Sequence, residues 1–510
     1  MKKGHPRALY YLFFTELWER FSYYGMRALL VLYIVQKLYA DMVREVADTR
    51  AYAIYAAFGA LVYATPVLGG LIADRYLGYR KSIMSGGVLM AIGLFMMAID
   101  TEFFFFAGLG FLVTGNGLFK PNISSMVGSL YEPGDPRRDA GFTIFYMGIN
   151  IGAWLSPLAC GWIAYQYGWP YGFALAGAGM LIGLVVFQLG INNGTFEGKG
   201  LAPDTPENRK TFAGLNMQAW SIIMAFASVP ILTMLIYKSE LAGYLLYTIL
   251  AMVVIIIGRS FFTITRVERE KIIAIFILAF FSTAFWAFFE QAGSTITLFA
   301  ERNVDLVLMN AAQTNMINPF FIIILAIPFS MLWTWLAMRK MNPYTPFKFA
   351  YGIAQLGLGF LIFAYGARFA SEMGQVPLLF LIVGYFFITT GELFISPIGL
   401  SMVTRLSPQK VVAFMMGVWF LSMSFAHYIA GFIAKFTTRE VTANGGFLEH
   451  ITIKVTGLTP DIVAAKGNEA FTTLLSYSNV FSSIAVIAFG LAILALVLTP
   501  FIRKLMHGEH

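Results

Sequence analysis

Fourteen stretches of the chain are predominantly apolar, and each is long enough for a helix of about 20 residues to cross the hydrocarbon core of a bilayer. They run approximately over 9–38, 51–73, 81–99, 103–129, 140–166 and 171–191, then 217–237 and 240–258, then 271–299, 311–338, 346–367, 376–404, 411–434 and 471–502. The period-two alternation of a transmembrane strand is absent, so the pattern predicts an all-α integral membrane protein and excludes a β-barrel. The segment 192–216 interrupts the series with glycine, proline and charge (Gly198, Lys199, Gly200, Pro203, Pro206) and reads as a linker. The two runs after it carry almost no polar residue and predict a peripheral hairpin. The expected organisation is an N-terminal six-helix bundle over 1–191, a linker with an inserted hairpin over 192–262, and a C-terminal six-helix bundle over 263–510.

Composition agrees with the pattern. The chain is 58% hydrophobic and 12% charged, against about 25% charged in soluble proteins. A net charge of +8 need not mean a nucleic-acid partner if the cations are unevenly spread across the membrane. Twenty-two lysines and arginines fall in loops on the side of the termini and nine on the opposite side, with Arg20, Arg27, Lys37 and Lys120 inside spans. This bias predicts cytoplasmic termini and removes the case for nucleic acid. Lys2, Lys3 and Arg7 precede the first run without a small-residue cleavage site, so no cleaved leader is expected. The single Cys160 excludes an intramolecular disulfide and reads as a small packing residue in an apolar run.

One span departs from the rule of apolarity. The first contains Glu16, Glu19, Arg20, Tyr23, Tyr24 and Arg27, which at about 100° per residue fall on an arc of roughly 140°. Each charge would cost about 2.5–3.5 kcal/mol at the bilayer centre. That face must therefore look into a polar interior. Intramembrane charge points to a functional site; the competing explanation is a structural ion-pair network, since Glu16 and Arg20 stand at i,i+4.

Further polar residues interrupt other spans. Lys120-Pro121 lies deep in the fourth, where a lysine needs an acid, a substrate carboxylate or a snorkelling route to the interface. The fifth places Tyr146 and Asn150 on one face, and the seventh does the same with Trp286 and Glu290. The eighth carries Asn318-Pro319, and the tenth carries Glu392 ahead of Pro397, which would free the carbonyl of Leu393. Single asparagines and prolines are commonly packing features, but deep acids need a partner or a proton. The loop Gly70-Leu71-Ile72-Ala73-Asp74-Arg75-Tyr76-Leu77-Gly78-Tyr79-Arg80-Lys81 resembles the Gly-x-x-x-Asp-Arg-x-Gly-Arg-Lys loop of the major facilitator superfamily, with one residue more before Gly78. Asp74 and Arg75 would serve cytoplasmic gating there, Asp74 meeting the positive end of a neighbouring helix.

Six spans, a hairpin and six spans are what a major facilitator fold with a two-helix insertion looks like. Glu16-x-x-Glu19-Arg20-Phe21-x-Tyr23-Tyr24, Lys120-Pro121-Asn122 and Phe145-Tyr146-x-x-Ile149-Asn150-x-Gly152 together resemble the signatures of the proton-dependent oligopeptide transporter (POT/PTR) family. The resemblance extends over the whole chain, and the inserted hairpin is common in bacterial members. It implies a proton-coupled symporter of di- and tripeptides in the bacterial inner membrane, driven by the proton gradient and needing no cofactor. It further implies Arg20 and Lys120 for the peptide carboxylate and Asn150, Asn318 and Glu392 for its amino terminus. Glu16, Glu19 and Glu290 would couple protons, and Arg27–Glu290 and Lys120–Glu392 would be gating salt bridges. Tyr23, Tyr24, Tyr63, Trp286 and Trp419 would line the pocket or pack as core. A carrier for another small anionic or zwitterionic solute, such as nitrate or a drug, is the alternative. An enzyme is disfavoured, since no Ser/His/Asp set, metal cluster or nucleotide loop stands out and the five histidines lie mostly at ends or in loops. Saturable, gradient-driven uptake would separate a carrier from a channel. Oligomeric state is not legible.

Overall fold

In lipid the backbone has no water to pair with, so the apolar runs satisfy their N–H and C=O groups internally as helices. The computed structural model describes residues 4–132, 134–262, 264–396, 399–408, 412–439, 441–442 and 446–508; Lys2, Lys3, Pro397 and Lys410 lie outside them. The principal helices are α1 (Arg7–Tyr33), α2 (Arg44–Ile72), α3 (Gly78–Met97), α4 (Glu102–Ser129), α5 (Arg138–Tyr167), α6 (Trp169–Asn192), α7 (Met217–Tyr237), α8 (Ser239–Ser260) and α9 (Arg266–Phe289). They continue with α10 (Thr295–Asn303), α11 (Ile317–Met338), α12 (Thr345–Tyr365), α13 (Leu378–Ile395), α14 (Gly399–Leu406), α15 (Val412–Ala434), α16 (Phe447–Thr456) and α17 (Glu469–Leu505).

Among the described residues twelve segments qualify as membrane-crossing by length and hydropathy alone. One of them, Arg44–Met97, contains both α2 and α3, and α1 falls short because of its charges. Counting these gives the fourteen crossings expected from the sequence. Several starts are set by capping: Thr101 accepts from the Phe104 N–H, Asn216 from the Ala219 N–H, and Thr265 forms a capping box with Glu268. Two spans are interrupted where hydropathy is continuous. The seventh leaves α-geometry at a 3-10 turn, Glu290–Gly293, before resuming as α10. The tenth ends at Ile395 and is followed by the short α14.

The chain forms two compact units, Met1–Ala40 with Ala57–Ala242, and Asp41–Ala56 with Gly243–His510. In the first, small residues let α3 and α4 approach closely, Gly93 facing Gly108 and Gly86 facing Gly115. Helix α7 packs on α4, with Thr233 against Gly110 and Ser228 3.4 Å from Thr114. In the second unit α12 meets α13 through Gly352 and Gly391, and α8 packs on α15 through Gly243 against Tyr428. Two short strand pairs lie outside the helices. Thr211–Phe212 pairs antiparallel with Leu215–Asn216, and Val304–Asp305 pairs parallel with Val376–Pro377.

Candidate functional site

The charged arc of α1 is buried. Glu16, Glu19 and Arg20 are 3%, 0% and 4% exposed. The Arg20 Nε lies 3.0 Å from Glu16 Oε1 and 2.5 Å from Glu19 Oε2, so one guanidinium serves two carboxylates. Tyr23 and Tyr24 extend the face: Arg20 Cζ is 5.6 Å from the Tyr23 ring centroid and Arg27 Cζ is 5.8 Å from that of Tyr24. Arg20 is held against α5 at Gly152, where a built Cβ would come within 2.3 Å of the Leu17 carbonyl and 3.0 Å of Arg20 Cβ. On the same face of α5, one turn earlier, a Cβ at Gly148 would strike the Phe13 ring. Cys160 is buried against Gly25 of α1, a packing position as expected.

Lys120 joins this cluster. It lies within Coulombic reach of both Glu16 and Glu19, and its Nζ is 4.1 Å from the Tyr63 ring centroid. The register that brings Tyr63 to Lys120 is fixed by hydrogen bonds between α2 and α4. The Asn116 amide donates to the Val62 carbonyl at 3.0 Å, and the Thr65 hydroxyl donates to that of Val113 at 3.1 Å. Asn122 donates to the carbonyls of Leu118 and Gly69, at 2.7 and 3.4 Å. Asn150, 5% exposed on α5, donates to the Tyr146 carbonyl of its own helix.

The loop between α2 and α3 is a π-helical turn, Ala73–Leu77, closed by Gly78 at φ +70°. Only glycine takes that conformation without strain, and the linker adds a steric demand, since a Cβ here would lie 2.4 Å from the Leu201 carbonyl oxygen. Asp74 and Arg75 are exposed, and Asp74 lies near Tyr79 at the start of α3. The linker is clipped over the loop by Arg80, which donates to the carbonyls of Gly200 and Lys199, and by Asn208, which donates to that of Tyr76.

In the second unit, α11 and α13 bring Asn318 and Glu392 together. The Asn318 amide donates to Glu392 Oε2 at 2.9 Å and to the Thr389 hydroxyl at 3.0 Å, and Glu392 is 7% exposed. Trp286 packs edge-on to Phe285 and Phe289. Trp419 is 8% exposed and covers Gly399, where a Cβ would meet its indole at 2.3 Å. Glu290, 3% exposed, stands at the break after α9. Tyr55 of α2 donates to Glu290 Oε2 at 3.5 Å, and His427 Nδ1 is 3.7 Å from the same oxygen.

His427 is the histidine set apart from the ends and loops where most of the five lie. It lies in the middle of α15, 2% exposed, and is neither terminal nor in a loop. Its signal was its position within the thirteenth apolar run. A second pair was also missed. Arg302, counted as a loop cation, donates two hydrogen bonds to the buried Asp48 at 2.6 and 2.7 Å and a third to the Tyr477 hydroxyl at 2.8 Å. This fastens the start of α2 to α10 and α17.

Comparison with known proteins follows the same lines. A family model described as the POT family matches residues 80–451. The peptide transporter YePEPT of Yersinia enterocolitica subsp. palearctica serotype O:3 (strain YE-P4) is 36% identical over 448 residues, spanning 84% of this chain and 88% of that protein. Dipeptide and tripeptide permease A of Proteus mirabilis (strain HI4320) is 33% identical, spanning 98% of this chain and 96% of its own length. A crystal structure of a peptide transporter POT in complex with sulfate is similar with a TM-score of 0.80 at 34% identity, covering 100% of this chain and 97% of that one.

Proposed function

The chain belongs to the POT family, and on that premise we propose that it is a proton-coupled symporter that imports di- and tripeptides by alternating access. The observation that carries the reading is the buried Glu16–Arg20–Glu19 cluster with Lys120 in reach of both acids. A peptide is a zwitterion whose ends are constant while its side chains vary, so a permissive carrier must read the ends. Arg20, with its planar fork, and Lys120 take the terminal carboxylate. Asn150, Asn318 and Glu392 take the ammonium, supported by the Asn318–Glu392 hydrogen bond. Tyr23, Tyr24, Tyr63, Trp286 and Trp419 line pockets for the side chains, apolar in body and polar at the tip.

Protons enter through Glu16, Glu19 and Glu290, each buried and each beside a cation or histidine. Arg27–Glu290 and Lys120–Glu392 are the gating pairs, made and broken in turn, and Asp74 and Arg75 act in the cytoplasmic loop. The protein sits in the inner membrane with both termini in the cytoplasm, the orientation that its loop cations favour. The proton gradient is the driving force, and the transport cycle requires no cofactor.

The test is uptake of dialanine and trialanine by the purified chain in proteoliposomes. Accumulation above the outside concentration is expected only with an imposed inward proton gradient, and excess nitrate leaves it unchanged. Gradient-independent equilibration, or displacement of the peptide by nitrate, would overturn the proposal.

A further inference from the structure

Away from the charged helices, the second unit holds a cavity of about 480 Å³, within the range of about 300–1,000 Å³ common for ligand sites. It lies between the residues that follow α15, helix α16 and the first half of α17. Phe288, Ile433, Ile484 and Ile487 give it an apolar wall running along the membrane-spanning helices. Arg439 and Glu449 bring opposite charges to the same cavity. Glu449 Oε2 is shielded from solvent and has no hydrogen bond among the described residues, a state that a donor from a ligand would relieve. The Arg439 guanidinium lies 4.4 Å from the Phe436 ring centroid, which props it at the cavity's edge.

We infer that this cavity binds a membrane phospholipid with a primary-ammonium headgroup. Arg439 receives the phosphate on its planar fork, Glu449 accepts N–H hydrogen bonds from the ammonium, and an acyl chain lies along the apolar wall. Two features select this class. The wall favours a chain that the surrounding bilayer supplies, and the unpaired carboxylate oxygen calls for a hydrogen-bond donor, which binds it most strongly when it is positively charged. An ethanolamine-type headgroup has that donor, whereas a quaternary choline has none and a glycerol headgroup carries no positive charge. The inference stands apart from the transport cycle and holds whatever solute the protein carries.

Native mass spectrometry of the delipidated full chain, given equimolar phosphatidylethanolamine, phosphatidylcholine and phosphatidylglycerol of identical acyl composition, tests it. An about tenfold preference for phosphatidylethanolamine over phosphatidylcholine is expected, the selectivity of one charge-assisted hydrogen bond. Glu449→Ala removes the preference while leaving some binding of both lipids. Arg439→Gln lowers retention of all three. Ser483→Trp, which fills the cavity from α17, abolishes retention, and variants are compared only at a wild-type melting temperature. Equal retention of the two zwitterionic lipids by the wild-type chain overturns the inference. So does a preference that survives Glu449→Ala, or displacement of bound lipid by dialanine, which would make the cavity a site for soluble zwitterions.

Discussion

Replacing Gly152 by alanine adds one methyl group at the contact that seats Arg20. The new Cβ would lie 2.3 Å from the Leu17 carbonyl oxygen and 3.0 Å from both Arg20 Cβ and Phe21 N. Ordinary contact begins near 3.4 Å, so α1 and α5 must part locally by the difference, about 1 Å. Helix propensity favours alanine by about 1 kcal/mol, and overpacking costs about 1–3 kcal/mol. The obstruction includes main-chain atoms of α1, which cannot rotate away, so the cost prevails by up to about 2 kcal/mol. Gly417 in α15 supplies the control, because a Cβ there meets nothing within 4 Å and only the propensity gain remains. In detergent, Gly152→Ala should lower the apparent melting temperature by a few degrees and Gly417→Ala should raise it slightly. Dialanine uptake per folded molecule should fall at least tenfold in Gly152→Ala, since misplacement of a binding group by about 1 Å can cost about a hundredfold. A Gly152→Ala protein that melts and transports like wild type would refute the argument that this contact positions Arg20.

If Glu16 and Glu19 carry the proton and Arg20 and Lys120 the peptide carboxylate, as proposed, Glu16→Gln and Glu19→Gln should each abolish gradient-driven accumulation while preserving peptide counterflow; driven uptake surviving both changes would remove the first-span acids from coupling. His427→Gln should alter the pH profile of uptake between about pH 5 and 8, where histidine ordinarily titrates, and an unchanged profile would leave His427 as packing beside Glu290. Asp48→Asn strands the mostly buried Arg302 and should destabilise the chain by about 3–5 kcal/mol. The double variant Asp48→Asn/Arg302→Met should recover most of that loss, and a melting temperature unaffected by Asp48→Asn would show that the pair adds nothing.

The spans were legible because hydropathy integrates over many residues, and one predicted run, 217–237, coincides with helix Met217–Tyr237. The charged face of α1 was legible because helical period alone places Glu16 beside Arg20. What hydropathy cannot carry is a break inside an apolar run. Glu290 ends α9, and residues Phe289 and Gln291 on either side are both buried. Nor can it carry side-chain pairing across the chain. Asp48 and Arg302 are 254 positions apart, and Arg302 looks like any loop cation until folding sets it beside Tyr477. The hydrogen bond from Asn318 to Glu392 was not legible: the resemblance placed both residues at the peptide's amino terminus, and nothing in either span's period points one at the other. Gly152 was legible as part of a motif, but its steric purpose emerges only when Leu17 and Arg20 are seen against it.

Under the proposed assignment, the first-span cluster would also account for proton and peptide travelling together. Glu16, Glu19, Arg20 and Lys120 carry two negative and two positive charges, which cancel when all are ionised. A peptide carboxylate arriving at Arg20 or Lys120 leaves one negative charge in excess in a site shielded from water. At a separation of about 5 Å and an effective dielectric of about 20, unit charges interact by about 3 kcal/mol, so a proton on Glu16 or Glu19 relieves a substantial repulsion. Linkage makes the effect reciprocal: whatever factor the peptide adds to proton affinity, the proton adds to peptide affinity. Dialanine binding to the purified chain should therefore tighten by about 5–150-fold on acidification and be accompanied by proton uptake, measurable by calorimetry in buffers of different ionisation enthalpy. In the Glu16→Gln/Glu19→Gln double variant both effects should vanish. Binding of the wild-type chain that neither takes up a proton nor changes with pH would show that the four charges form a static network, and coupling would then have to arise at Glu290.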